Sequence, residues 1–66
     1  MKNRLKVQRA IHELTQADLA EKIGVTRQSI NAIEKGKYVH STVLALKIAK
    51  LFNESVENIF TLEDKD

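Results

Sequence analysis

The sequence contains no cysteine and no proline, and glycine occurs only at Gly24 and Gly36. Without cysteine there is neither a disulfide framework nor a thiolate metal site, and two histidines far apart in sequence do not make a metal site either. A chain of 66 residues lies near the lower end of what folds unaided. Well-formed helices, self-association or both must therefore stabilise it.

Long apolar runs are also missing. None approaches the roughly 18 residues of a membrane span, and no signal-peptide pattern is present. Two distant histidines and scattered acids supply no nucleophile with a base and an orienting group, and no glycine-rich phosphate loop occurs. We therefore expect a cytoplasmic protein that is not an enzyme and that requires no cofactor or metal.

Charge is distributed unevenly along the chain. The net charge is +2, but residues 1–50 carry +6 and residues 51–66 carry −4. A basic body favours a polyanionic partner. Judged from charge alone, a need for solubility explains this distribution about as well as a polyanionic partner does.

With so few chain-breaking residues, helix caps must make the turns. The first helix is expected from about Arg4 to Glu13, with Asn3 as its N-cap. Its expected apolar contacts are Leu5, Val7 and Ile11.

A second helix is predicted to start at Thr15. Thr15 and Asp18 have the spacing of a capping box, and Leu14 and Leu19 have that of a hydrophobic staple. Gly24 supplies the permissive backbone that ends this helix. Its expected buried residues are Leu19, Ala20 and Ile23.

The third helix repeats the same device. Thr26 is its expected cap, Val25 and Ile30 form the staple, and the helix should stop at Gly36 after about Lys35. A connection of about three residues between two short helices is typical of a helix-turn-helix.

The C-terminal third predicts a fourth helix from Ser41 to about Asn53 and a short fifth one capped by Ser55. Residues 43–52, VLALKIAKLF, are more apolar than one core face requires. Residues 60–64, FTLED, alternate as a strand does, and the N-terminal MKNR is the expected partner. The predicted fold is all-α, a compact bundle of about five short helices with a small terminal β-ribbon.

The stretch TQADLAEKIGVTRQSINAIEKGK resembles the helix-turn-helix core of phage-repressor-like (Cro/CI, XRE-type) DNA-binding domains. The T-Q-x-x-L-A start, the G-V-T turn, I-N-x-I-E and the following G-K occur together, and the likeness extends from about Asn3 to Phe60. The short format is also similar to that of the small dimeric repressor of a cytolysin operon.

This resemblance implies one DNA-binding domain over residues 1–66. Its helix-turn-helix would span about 15–35 and its dimerisation region about 43–62. The protein is expected to be a transcriptional regulator that binds double-stranded DNA sequence-specifically. It is expected to act as a repressor. As a homodimer it would read an inverted-repeat operator with the third helix in the major groove.

The exposed side of the third helix carries groups suited to base edges. Arg27 can donate twice to guanine, Gln28 can pair with adenine, and Asn31 offers another amide one turn on. Ala32 is small enough for close approach, and its methyl can meet that of thymine. Solvation is the alternative explanation for any one of them.

A second set of residues is expected to contact the DNA backbone. A phosphate role for the Gln16 side chain at the start of the second helix is implied by the resemblance. Thr26 is expected to act chiefly as a cap and secondarily to contact a phosphate. The clamp after the third helix would comprise Lys35, the Gly36 amide and Lys37, although solvation alone also explains the two lysines.

The resemblance further implies that Arg9 pairs with Glu34, which would fix the angle of the third helix; the alternative is two independent surface charges. Two positions depart from the family pattern. His40 stands where relatives commonly have proline and is expected to be an exposed loop residue. Glu13 stands where many have glycine, so a less sharp break is expected there, and His12 is expected at a partly exposed helix end.

The surplus apolar surface of the fourth and fifth helices is the expected homodimer interface. The residues expected in or near it are Leu46, Lys50, Asn53, Val56 and Ile59. Alternatively, some of them complete the core, or the protein is an antitoxin-like interaction module that binds a partner protein there. A pure protein binder would not require the polar face of the third helix.

Overall fold

The computed structural model describes residues 1–37 and 41–66, and His40 lies outside this range. The described elements, in chain order, are β1 (Lys2–Asn3), α1 (Leu5–Ile11), α2 (Gln16–Ile23), α3 (Arg27–Glu34), α4 (Thr42–Phe52), α5 (Val56–Ile59) and β2 (Phe60–Thr61). The strands pair antiparallel, with Lys2 opposite Thr61 and Asn3 opposite Phe60. The predicted helical bundle with a terminal β-ribbon is confirmed. No helix in the described ranges is long and apolar enough to cross a membrane.

Hydroxyl caps determine where four of the helices begin. Each cap oxygen accepts from the main-chain N–H three residues later, at 3.0–3.2 Å. The four caps are Thr15, Thr26, Ser41 and Ser55. They satisfy N–H groups that have no partner inside the helix. This explains why these starts were predictable from local sequence.

The break between α1 and α2 is sharper than the sequence led us to expect. Glu13 has a φ of 56° and Gly24, after α2, has a φ of 75°. Both residues therefore adopt the left-handed region. A non-glycine residue there carries about 1–2 kcal/mol of steric strain. The expectation of a looser turn at Glu13 is wrong, since the backbone turns there without glycine.

The prediction of which α1 residues face the core is partly wrong. Val7 and Ile11 are 45% and 64% exposed, whereas Leu5 and Gln8 are buried. Side chains two residues apart on a helix point about 200° apart, so burial of Leu5 turns Val7 outward. The N-cap position is Arg4. Its neighbour Asn3 still accepts from the Leu5 N–H, at 3.1 Å.

A cluster of apolar side chains joins the five helices of the described residues. Its fully buried members are Leu5, Leu19, Ile30, Ile33, Ile48 and Ile59. The staple residues Leu14 and Val25 pack against the same cluster. His12 caps α1, is exposed, and has its ring centroid 5.0 Å from that of Phe52. Because α2 and α3 each bury one face here, their opposite faces are left to solvent.

The acidic end of the chain folds back toward β1. The amino group of Met1 lies 3.2 Å from a carboxylate oxygen of Glu63 and of Asp66. Its pKa is raised, chiefly by the hydrogen bond to Glu63. Two of the tail carboxylates are therefore paired within the molecule.

Candidate nucleic-acid interface

Helix α3 has one buried and one accessible side. Ile30 and Ile33 lie in the core, Arg27 and Gln28 are exposed, and Asn31 is half-buried. Ala32 is half-buried too. The candidate base readers are thus brought together on one helix, with the first two most accessible.

An ion pair ties α1 to α3. The Arg9 guanidinium donates to both carboxylate oxygens of Glu34, with 3.1 Å between Nη2 and Oε1. Its Nη1 also donates to the carbonyl of Leu14 at 2.9 Å. The pKa of Arg9 is raised, chiefly by the hydrogen bond to Glu34. The side chains are only 15% and 8% exposed, so removing either partner would leave a poorly solvated charge.

Gln16 ties α2 to α3 through the same carboxylate. Its Nε2 donates to Glu34 Oε1 and to Asn31 Oδ1, each at 3.2 Å. Both side-chain N–H groups are therefore used within the protein, whereas a phosphate would need a donor. The side-chain phosphate contact stays a prediction, and it would require Gln16 to give up one of these two hydrogen bonds. Among the first-turn main-chain N–H groups of α2, that of Asp18 donates to the Thr15 cap, so those of Gln16 and Ala17 remain as donors there.

The end of α3 is closed by a Schellman motif. The Gly36 N–H donates to the carbonyl of Ile33 at 2.9 Å, and the Lys37 N–H donates to that of Ala32 at 3.2 Å. Gly36 has the left-handed φ of 80° that this motif uses. The Gly36 N–H is therefore used within the protein, and its contact with a phosphate stays a prediction. The side chains of Lys35 and Lys37 are exposed.

Thr26 lies in the turn between α2 and α3. Its Oγ1 accepts from the main-chain N–H of Ser29 at 3.1 Å and lies 3.0 Å from the Ser29 hydroxyl. Both contacts are those of a helix cap. The side chain thus has a structural role at the start of α3.

The residues expected in a dimer interface fall into two groups. Leu46 is 55% exposed, Lys50 and Asn53 are exposed, and Val56 is half-buried. Ile59 is fully buried because it completes the core, so it offers no surface to a second chain. Val43, which begins the expected dimerisation region, is 61% exposed. At helical spacing it extends a row that we call the α4 stripe: Val43, Leu46, Lys50 and Asn53.

Comparison with known proteins identifies the family. The model of the HTH_3 helix-turn-helix family matches residues 5–59, which include α1 to α5. The chain belongs to this family. As an HTH_3 member it is an XRE-type, DNA-binding transcriptional regulator, in a family of non-enzymatic proteins. The resemblance inferred from the sequence is confirmed at this level.

Similar proteins occur in archaea and bacteria. An HTH-type transcriptional regulator of Methanocaldococcus jannaschii is 61% identical over 66 residues, which is the whole of both chains. One of Bacillus subtilis is 50% identical, again over the whole of both. The solution structure of the SOS-response transcriptional repressor LexA from Eubacterium rectale superposes with a TM-score of 0.75 at 26% identity. The superposed region covers 94% of this chain and 74% of the LexA chain. None of these three is described as a cytolysin-operon repressor.

Proposed function

We propose that this HTH_3 regulator is a repressor that binds an inverted-repeat operator as a homodimer, with α3 in the major groove. The observation that carries the proposal is the division of α3 into two sides. Its inner side is held by Ile30, Ile33 and the Glu34 ion pair, while Arg27 and Gln28 project outward. A reading helix needs this combination of a fixed axis and accessible polar side chains.

The chemistry of the outer side matches base edges. The planar guanidinium of Arg27 can donate to guanine O6 and N7 together, and the Gln28 amide can donate to N7 and accept from N6 of adenine. Ala32 permits close approach and can place a methyl against that of thymine. Each good bidentate contact discriminates by about 1–3 kcal/mol.

Phosphate contacts would position the reading helix. Exposed Lys35 and Lys37 follow α3, and the main-chain N–H groups at the start of α2 form the other donor group. The positive end of the α2 dipole favours an anion there. These contacts add affinity without sequence preference.

A second copy is needed because one reading helix touches too few base pairs for useful selection. The α4 stripe presents two exposed aliphatic side chains, Val43 and Leu46, in line with Lys50. Val56 on α5 would flank them. Two-fold pairing through such a surface would set the reading helices about 34 Å apart, one turn of DNA.

The repressor role rests on similarity. The solved structure described above is of a transcriptional repressor. A bound dimer would repress by occupying DNA needed for transcription. This part of the proposal requires a transcription assay on the selected operator.

Binding-site selection from random DNA duplexes tests the proposal. We expect wild-type protein to enrich an inverted repeat. Gln28→Ala should lose enrichment at particular positions and weaken binding to the selected site by about 1–3 kcal/mol. Lys65→Ala, which removes a charge from the tail, is the control and should leave the enriched sequence unchanged. If the wild-type protein binds all duplexes equally, the interaction is nonspecific charge attraction and the proposal is wrong.

A further inference from the structure

The carboxylate of Glu34 determines which way two neighbouring side-chain amides point. An ionised carboxylate only accepts hydrogen bonds. Its Oε1 lies 3.2 Å from the Gln16 amide and also accepts from Arg9. The Gln16 group that faces Glu34 must therefore be the NH₂ group.

This orientation is passed on to Asn31. The same Gln16 Nε2 lies 3.2 Å from the Asn31 side chain. Because a donor faces Asn31, the Asn31 atom at this contact must be its carbonyl oxygen. Turning the Asn31 amide over would place two NH₂ groups against each other and break the hydrogen bond.

The Asn31 NH₂ group consequently points away from Gln16. Within residues 1–37 and 41–66 it makes no hydrogen bond, and no unpaired side-chain nitrogen or oxygen there is buried. It is thus open to solvent on the same helix as Gln28. Gln28 is exposed and makes no side-chain hydrogen bond in the same ranges, so its amide can turn either way.

We propose that Asn31 reads DNA as a hydrogen-bond donor only, because Gln16 holds its carbonyl oxygen inward. This inference rests on the proposed function and specifies how one side chain contributes to its specificity. Paired recognition of adenine requires one amide to donate to N7 and accept from N6. Guanine presents two acceptors, N7 and O6. Asn31 therefore favours guanine over adenine, while Gln28 retains the adenine pairing, and Gln16 is a positioning residue.

The orientation can be measured without DNA. In NMR spectra of the free protein, the Gln16 NH₂ protons should exchange with water more slowly than those of Gln28. They should also show nuclear Overhauser effects to α3. The Asn31 NH₂ protons should exchange as rapidly as those of Gln28. Protected Asn31 protons together with rapidly exchanging Gln16 protons would overturn the inference, whatever the protein binds.

Binding-site selection tests the consequence for specificity. Positions whose enrichment is lost in Asn31→Ala should carry guanine in the wild-type selection. Asn31→Asp keeps an oxygen for Gln16 but replaces the outward donor with an acceptor. It should lower the preference for guanine at those positions by about five-fold or more. Gln16→Met removes the constraint at similar length, so adenine should become acceptable there.

Three outcomes distinguish failure of this inference from failure of the proposed function. Adenine at the Asn31-dependent positions of wild type would overturn the inference and leave the proposed function intact. An equal loss of affinity for all duplexes in Asn31→Ala would do the same, since it would indicate a phosphate contact. No enrichment by wild type would overturn the proposed function and this inference with it. Thermal unfolding followed by circular dichroism verifies that each variant folds. If Gln16→Met does not fold, Asn31→Asp still tests the inference, because it retains the hydrogen bond with Gln16.

Discussion

Glu34 accepts hydrogen bonds from two side chains that lie in other helices. Arg9 reaches it from α1 and Gln16 from α2. Low exposure strengthens these bonds electrostatically and makes each partner costly to remove. The Arg9 pairing was implied by the family resemblance. The Gln16 contacts were not, because nothing in the sequence relates an amide at position 16 to groups at positions 31 and 34.

Glu13 is the residue at which backbone strain is most easily tested. Its φ of 56° suits glycine, so Glu13→Gly should remove the left-handed strain. Greater freedom of the unfolded chain offsets part of the gain. We expect the free energy of unfolding, measured with urea, to rise by about 0.5–1 kcal/mol.

Glu13→Ala is the matched variant, since it removes the same side chain but keeps the Cβ atom. It should give no such gain. Equal stabilisation by the two variants would show that the charge, and not the backbone, was responsible.

At the scale of elements, each helix of the helix-turn-helix is delimited by its own residues. Thr15 and Asp18 bond reciprocally at the start of α2, and Gly24 ends it. Thr26 starts α3 and the Schellman motif at Gly36 ends it. The short turn then makes α2 and α3 cross, and burial of Leu19, Ile30 and their neighbours fixes that crossing.

The capping box should make stability depend on pH. The pKa of Asp18 lies below its ordinary value of 3.8, chiefly because the main-chain N–H of Thr15 donates to its carboxylate. The folded state therefore binds this proton less tightly than the unfolded chain. The stabilisation is present above pH 3.8 and is lost as pH falls through the lower, folded-state pKa.

We expect the stability advantage of wild type over Asp18→Asn to be constant near neutral pH and to shrink in strong acid. Urea unfolding from neutral pH down to about pH 2 measures it. Glu21→Gln, which changes a carboxylate of α2 outside the capping box, is the control. An advantage that persists at the lowest pH would contradict this assignment.

For the whole molecule, affinity for DNA should depend strongly on salt. If a dimer neutralises about six phosphates, the logarithm of affinity falls against that of salt concentration with a slope near −5. Lys37→Ala removes one phosphate contact per protomer and should make the slope less negative by about 2. Lys65→Ala should leave it unchanged. Equal changes in both variants would indicate diffuse attraction instead of a clamp after α3.

Self-association is the other property of the whole molecule. Leu46→Glu would place an unpaired charge in the α4 stripe. It should raise the dimer dissociation constant at least about 30-fold, or about 2 kcal/mol, in sedimentation equilibrium. Val7→Glu is the matched control, since Val7 is 45% exposed on α1 and lies outside the proposed interface. A monomeric wild type would leave the α4 stripe to a partner protein, as the antitoxin-like alternative requires.

Sequence reasoning alone was sufficient for features that depend on neighbouring residues. The hydroxyl caps and the glycine after α2 were predictable, because capping and turn chemistry act over three or four residues. The family followed from the helix-turn-helix motif, and the terminal β-ribbon from the alternation in FTLED. Only the tertiary structure decided which α1 residues are buried, how sharply the chain turns at Glu13, and that the Gly36 amide is used internally. It also brought Gln16 to Asn31 and Glu34. Contacts between side chains that are distant in sequence depend on how the helices cross, and that geometry exists only once the common core is packed.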